Sequence, residues 1–225
     1  LVVDRDLPLA ERTVAMIAAE GGTARAGSFD VTNSQQCRAM VAEAVRLWGR
    51  LDCLDNNVGI GSRGSVVAES EENWRRVMQV NVDSMFLACK YAIPEMIRTA
   101  GGGAIVNISS ISAIRPRGLT AYTVSKGAVI ALTKAMAVDH GREGVRVNCI
   151  APGPVYTPMV YARGMSEAAR AQRARASVLG MEGTGWDVGQ AARFLLSAQA
   201  RFITGQTLVV DGGASLVGPE RDSAG

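Results

Sequence analysis

The stretch Ala104-Ile-Val-Asn-Ile-Ser-Ser110 decides the fold, together with the two segments that follow it. These are Thr120-Ala-Tyr-Thr-Val-Ser-Lys-Gly-Ala-Val-Ile-Ala-Leu-Thr-Lys-Ala-Met-Ala-Val-Asp-His140 and Val145-Arg-Val-Asn-Cys-Ile150. The first and last pieces are short, apolar and rich in β-branched residues, the pattern of strands buried on both faces. The middle piece is too long for one strand and places Val129, Leu132 and Met136 at helical spacing. Strand and helix in turn imply a parallel sheet covered on both faces.

The alternation continues outward. Leu1-Val2-Val3 reads as a strand ending at Asp4. A helix then carries Ala10, Val14, Ile17 and Ala18 on one side and stops at Gly21-Gly22. A short strand within Ala24 to Phe29 leads through Asp30-Val31-Thr32 into a helix from about Ser34 to Trp48. Leu51 to Leu54 reads as strand, and a long helical stretch runs from about Glu71 to Thr99. Beyond Ile150 come an Ala- and Arg-rich segment from about Thr157 to Gly180, a helix near Trp186 to Leu196, and a last strand Thr207 to Val210. The expectation is one α/β domain over residues 1–225, with ligands at the carboxyl ends of its strands.

Composition narrows the class. At 225 residues and 48% apolar content the chain can bury one substantial core. A net charge of +3 with no basic run gives nucleic acid nothing to hold. No apolar run approaches the roughly 18 residues a membrane span needs, and no secretory signal is seen, so a cytoplasmic protein is expected. Cys37, Cys53, Cys89 and Cys149 form no Cys-x-x-Cys pair and read as buried thiols, with no metal site.

Tyr122 and Lys126 carry the chemistry. Positions i and i+4 share a helix face, so the ammonium can sit beside the phenol. A free phenol loses its proton near pH 10, and a neighbouring cation favours the phenolate. Such a phenol exchanges a proton with an alcohol or carbonyl near neutral pH, while a serine hydroxyl holds the substrate oxygen. Only Lys90, Lys126 and Lys134 are lysines among 24 basic residues, so a proton-sharing amine at this position stands out.

These motifs resemble those of the short-chain dehydrogenase/reductase family, over essentially the whole chain. Asn56-Asn57-Val58-Gly59 is similar to the family's Asn-Asn-Ala-Gly. Asn81 stands where the family has a catalytic asparagine, and Ser109-Ser110, Tyr122 and Lys126 match its serine, tyrosine and lysine. Pro152-Gly153-Pro154-Val155 with Thr157 resembles the segment that packs on the nicotinamide, and Asp211-Gly212-Gly213 its C-terminal strand end.

The resemblance implies a Rossmann-type doubly wound parallel sheet and hydride transfer between NAD(P) and a secondary alcohol or ketone. Tyr122 would be the general acid/base and Lys126 would lower its pKa and bond the ribose. Ser110, the second serine of the pair, would bind the substrate oxygen, and Asn81 would support a proton relay. Asp4, at a strand end, would accept from ribose hydroxyls and repel a 2′-phosphate, favouring NAD over NADP. Asp30 and Val31 would line the adenine pocket. Asn57, Gly59, Tyr122, Lys126, Pro152, Gly153, Val155 and Thr157 complete the implied cofactor site. Homo-oligomers, dimers or tetramers, are common in the family.

Two departures accompany the resemblance. Asp55 replaces an apolar residue and must find a partner or solvent. The family's first strand, glycine-rich turn and first helix are expected before Leu1 and are not in the sequence. The missing strand would lie between Leu1–Val3 and Leu51–Leu54. Gly59-x-Gly61-x-x-Gly64 imitates the turn, with Asp83 about 20 residues on, but it follows Asn-Asn-Val and Asp83 falls within an expected helix, not at a strand end. A cofactor-deficient fragment, and epimerase- or dehydratase-type chemistry on the same fold, are therefore the alternatives. The segment Met159 to Gly183 resembles the family's variable substrate loop, with Tyr156, Met159, Tyr161 and Met165 as pocket candidates.

Overall fold

A computed structural model describes residues 1–162 and 164–218, apart from the side chain of Met159. Its elements alternate as the sequence implies. The first half holds β1 (Val2–Asp4), α1 (Leu7–Ala19), β2 (Ala26–Ser28), α2 (Ser34–Trp48), β3 (Cys53–Asn56), α3 (Glu71–Met78) and α4 (Ser84–Ala100). The second holds β4 (Gly103–Ile108), α5 (Thr120–His140), β5 (Val145–Pro152), β6 (Val155–Tyr156), α6 (Pro158–Tyr161), α7 (Glu167–Arg175), β7 (Gly183–Thr184), α8 (Gly185–Leu196) and β8 (Thr207–Val210). The helical stretch expected from Glu71 to Thr99 is α3 and α4 joined by a π-helical turn, Gln79–Asp83.

Local chemistry explains several boundaries. Asn33 caps α2 by accepting from the backbone of Gln35 and Gln36, and Ser70 caps α3 through Asn73 N. α8 begins with a capping box in which the Asp187 carboxylate accepts from Thr184 N at 2.7 Å.

All strand pairings are parallel, and alternation along the strands feeds both faces. On β4, Ile105 joins the core formed with α2, α4 and α5, whereas Val106 and Ile108 face α8. On β5, Val145 and Val147 turn to the first side and Ile150 to the second. The α5 stripe faces inward, with Val129 0% and Met136 7% exposed, so it is core rather than a subunit contact.

The sheet is interrupted. β1 pairs with β2, and β3 with β4, β5 and β8 in the order β3-β4-β5-β8, and β1 does not pair with β3. Between them lies a slot of about 990 Å³, flanked by Val2, Val3 and Asp4 on one side and Cys53 to Asn56 on the other. Ala10, Met40, Val41, Met85, Ala88 and Ala92 also line it. Asp55 opens onto this slot and is still exposed there, with no hydrogen-bond partner among the described residues, and the protein atoms crowded around it push its carboxyl up to about 6.

Two expectations need correction. Cys53 is exposed where a buried thiol was expected, because its strand borders the slot. Cys37, Cys89 and Cys149 are buried, and all four are free. The Ala- and Arg-rich tail is not one polar segment but two short helices with the β6–β7 pair around them. Among the described residues, no helix is long and apolar enough to cross a membrane, and no cluster of His, Cys, Asp or Glu can hold a metal ion.

Candidate active site

The end of β4 and the first turns of α5 meet at one place, where the two serines after Ile108 turn different ways. Ser109 is 2% exposed and donates to the carbonyl of Lys126 at 2.7 Å. Ser110 Oγ accepts from Ser112 N at 3.1 Å, and its hydroxyl lies near enough to the Tyr122 phenol to favour the phenolate. Ser109 is therefore spent on helix docking, and Ser110 faces the tyrosine.

Lys126 Nζ lies 5.7 Å from the centre of the Tyr122 ring. The lysine is 3% exposed and donates to the carbonyl of Ile108 at 2.8 Å. Burial lowers its pKa to about 8, because a desolvated ammonium readily gives up its proton. The sequence expectation was that Lys126 depresses the phenol. The structure shows another balance. Burial raises the Tyr122 pKa above its ordinary value, and the opposing influences are the nearby Ser110 hydroxyl and the charge of Arg117. Lys126 is aimed at a backbone carbonyl, and its charge is not among the influences on the phenol here.

Asn81 stands on the π-helical turn and is fully buried. Such turns re-aim a side chain within a continuous helix. Its Oδ1 accepts from Ile60 N at 2.8 Å, and its Nδ2 donates to Ile60 O and Ser125 Oγ, each at 2.9 Å. Ser125 in turn donates to the carbonyl of Tyr122 at 2.7 Å. The amide is thus consumed in clamping the loop after β3 to α5. Gly59 sits inside this clamp: a Cβ there would lie 3.2 Å from Lys126 Nζ and 3.3 Å from Asn81 Oδ1. Asn56, just before, is buried and donates to Asn107 Oδ1 at 2.8 Å, and Asn107 donates to Thr133 Oγ1 at 2.9 Å. This polar chain ties β3, β4 and α5 together beneath the site.

The expected cofactor residues divide into groups. Asp4, Val31, Asn57 and Gly59 line the slot, and Pro158 closes its end near Gly59. Asp4 Oδ1 accepts from Asp6 N at 2.9 Å, leaving its other oxygen without a partner among the described residues. Asp30 is bound up in its own turn: Oδ1 accepts from Thr32 N and Thr32 Oγ1, which hold its pKa below the usual range. Pro152 ends β5. Gly153 packs so closely on the end of β8 that a Cβ would fall 2.3 Å from Asp211 Cβ. Val155 begins β6, and Thr157 precedes α6, accepting from Val160 N at 2.8 Å. None of Ser110, Tyr122 and Lys126 borders the slot, which meets their neighbourhood through Gly59.

Sequence reasoning missed Ser62, Ser125 and Arg117. Ser62 Oγ accepts from Tyr122 N at 3.2 Å, fixing the first turn of α5. Ser125 lies one helical turn after Tyr122, and that spacing was the available signal. Arg117 lies in the loop between Ser110 and Tyr122, where only its charge marks it. In the variable segment, Tyr156 and Tyr161 stack with centroids 4.6 Å apart, and Arg170 covers the Tyr156 ring at 4.0 Å. His140 is bound to Glu143 at 2.7 Å, far along α5 from Tyr122.

Comparison with known proteins supplies the family. The profile described as enoyl-(acyl carrier protein) reductase matches residues 1–215. The chain is 37% identical to 2-(S)-hydroxypropyl-CoM dehydrogenase 3 of Xanthobacter autotrophicus, over 96% of this chain and 86% of that protein. It is 38% identical to a protein of the same organism named inactive 2-(S)-hydroxypropyl-CoM dehydrogenase 2, over 96% of this chain and 94% of that one. Cyclohexanol dehydrogenase of an Acinetobacter species is 36% identical, over 94% and 83%. Among solved structures, a putative short-chain dehydrogenase/reductase of Burkholderia xenovorans superposes with a TM-score of 0.89 at 39% identity, covering 96% of this chain and 84% of that one. With its single-domain Rossmann-like parallel sheet and these matches, the chain belongs to the short-chain dehydrogenase/reductase family.

Proposed function

We propose that this site is built for reversible oxidation of a secondary alcohol to a ketone, with a nicotinamide cofactor as the redox partner. The observation that carries the reading is the convergence of Ser110, at the end of β4, with Tyr122 and a buried Lys126 whose Nζ lies 5.7 Å from the Tyr122 ring centre. Relatives named as dehydrogenases of cyclohexanol and meso-2,3-butanediol support a CH–OH substrate. The substrate oxygen would sit between Ser110 Oγ and Tyr122 Oη, with Tyr122 taking the alcohol proton or returning it to the ketone. Lys126 would act when a ribose hydroxyl draws its ammonium off the Ile108 carbonyl. Asn81 would position Gly59 and Ile60 rather than hold a water through its side chain.

When bound, the cofactor supplies the hydride acceptor or donor. Its two ends suit the chain. Asp4 offers a carboxylate oxygen to ribose hydroxyls and repels a 2′-phosphate, which favours NAD over NADP. Gly59, Thr157 and the Pro152–Val155 segment would take the nicotinamide. The stretch between the ends fits poorly. The slot presents Asp4, Asp52 and Asp55 against one cation, Arg50, whose guanidinium is bonded to Asp52. A pyrophosphate needs backbone N–H groups at a helix N-terminus. We infer that a further parallel strand ending in such a turn belongs in the slot. A cytoplasmic homo-oligomer is proposed with this reading, and exposed Phe86 on α4 and Val124 and Val138 on α5 offer apolar contact surface.

A second reading, of a cofactor-deficient chain, is favoured by the same slot and by the relative that is named inactive. Calorimetry with NAD separates the two, combined with NADH formation from a panel of secondary alcohols. Binding and turnover by the chain, lost in Tyr122→Phe, support the first reading. No NAD binding by the 225-residue chain, restored by an upstream extension, supports the inferred strand.

A further inference from the structure

The rim above Ser110 and Tyr122 is built from two loops that pair with each other. Gly64 bridges to Leu119: its N–H donates to the carbonyl of Gly118 at 3.2 Å, and its carbonyl accepts from Thr120 N at 3.1 Å. Ser62 binds Tyr122 N within the same arrangement. The two loops, residues 57–70 and 109–119, contain three arginines and one acid, Glu69, which accepts from Asn73 Nδ2 at 2.6 Å. Arg115 is committed, donating to the carbonyl of Ala214. Arg63 and Arg117 are exposed and have neither a salt bridge nor a side-chain hydrogen bond among the described residues. Both stand within two residues of the Gly64–Leu119 bridge, one on each loop. Arg46, Arg50, Arg75 and Arg98 are each paired with an acid, while other exposed arginines such as Arg38, Arg76 and Arg142 are unpaired among the described residues but lie away from this rim, so what sets Arg63 and Arg117 apart is their place on the paired loops. The charge of Arg117 reaches the Tyr122 phenol, and neither Arg63 nor Arg117 borders the slot, so they are not placed to serve a cofactor there.

We propose that the substrate of this site carries a carboxylate-type oxyanion as well as its secondary alcohol, and that Arg117, aided by Arg63 across the paired loops, binds that anion. A guanidinium matches a carboxylate with two parallel N–H donors, giving orientation as well as charge. Held at the rim, the anion would point the carbinol carbon down toward Ser110 and Tyr122, and Arg117 becomes the specificity-determining residue. This rests on the alcohol-oxidising reading for its substrate class, but the anion site can be tested without turnover.

The test uses the purified chain labelled with ¹⁵N, following arginine Nε–H signals while 3-hydroxybutyrate or uncharged 2-butanol is added. The expected result is a saturable shift of the Arg117 and Arg63 signals with the carboxylate alone. In Arg117→Ala the remaining Arg63 shift should weaken at least tenfold in affinity, and Arg117→Lys should retain part of it. A response of Arg117 no larger than that of the distant, exposed Arg142 would overturn the proposal. In parallel, NADH formation is measured with both compounds, using whichever form of the protein binds NAD. The ratio of kcat/KM for the carboxylate over the neutral alcohol should fall at least tenfold in Arg117→Ala, and an unchanged ratio also counts against the anion site. Absence of NADH with either compound, alongside a saturable Arg117 shift, would refute the dehydrogenase reading and leave the anion site standing.

Discussion

Replacing Asp55 by asparagine should stabilise the protein by an amount that grows as pH rises from about 3.8 to about 6 and is full above it. The carboxyl group stands on β3 at the wall of the slot, and the protein atoms crowded around it move its pKa from 3.8 to about 6. A carboxyl whose folded pKa is raised carries more protons in the folded state than in the unfolded one, so stability falls as pH rises through that interval. Below 3.8 both states are protonated and the cost is absent; above about 6 the folded chain bears it in full. Two pKa units correspond to roughly 3 kcal/mol, which the open, watered side of the slot reduces to about 1–2 kcal/mol. Asparagine keeps the shape and removes the charge. For a chain of this size, thermal unfolding at about pH 8 should move up by roughly 3–6 °C, with almost no change near pH 4. Scanning calorimetry on both proteins at the two pH values checks this. An equal shift at both, or a loss of stability at the higher pH, would show that the carboxylate has a favourable partner and that its desolvation was misjudged.

Other substitutions probe the remaining elements. Tyr122→Phe should lower kcat/KM about 10²–10⁴-fold with folding intact, since it removes the proton donor and no packing atom; circular dichroism and NADH formation test the two halves of that statement. Gly153→Ala should destabilise by about 1–3 kcal/mol in urea unfolding, because its Cβ would fall 2.3 Å from Asp211 Cβ and β5 and β8 must spread to admit it. Asn81→Ala leaves the Ile60 backbone and Ser125 without three hydrogen bonds in a buried place. It should cost about 2–4 kcal/mol, and hydrogen exchange should quicken at Ile60.

The alternation of strand and helix was legible because buried parallel strands are short, apolar runs and the helices between them carry a one-sided stripe. Ser34–Trp48, Thr120–His140 and Thr207–Val210 therefore fall where the residues place them. The stripe on α5 did not say which partner it met, since Val129 and Met136 would suit a neighbouring subunit as well as the sheet, and only packing shows that they are core. The π-helical turn was invisible for a related reason. Gln79 to Asp83 keeps helical composition, and the bond that accompanies the widened turn, Asn81 to the Ile60 backbone, is a contact across 21 residues of chain.

The spacing of Tyr122 and Lys126 was a reliable guide to which groups meet, but not to how they titrate. Two side chains on one helical face share an environment, and burial acts on both at once: it raises the phenol and lowers the ammonium, against the shift that proximity alone would give. A lysine that donates to the Ile108 carbonyl has already found the acceptor its burial demands. It acquires influence over the phenol only when another acceptor competes for it. The proton chemistry of this site is therefore coupled to occupation of the cleft beside Gly59, and the pKa of Tyr122, followed by ultraviolet titration of the phenolate, should fall on NAD binding rather than stand preset in the free chain.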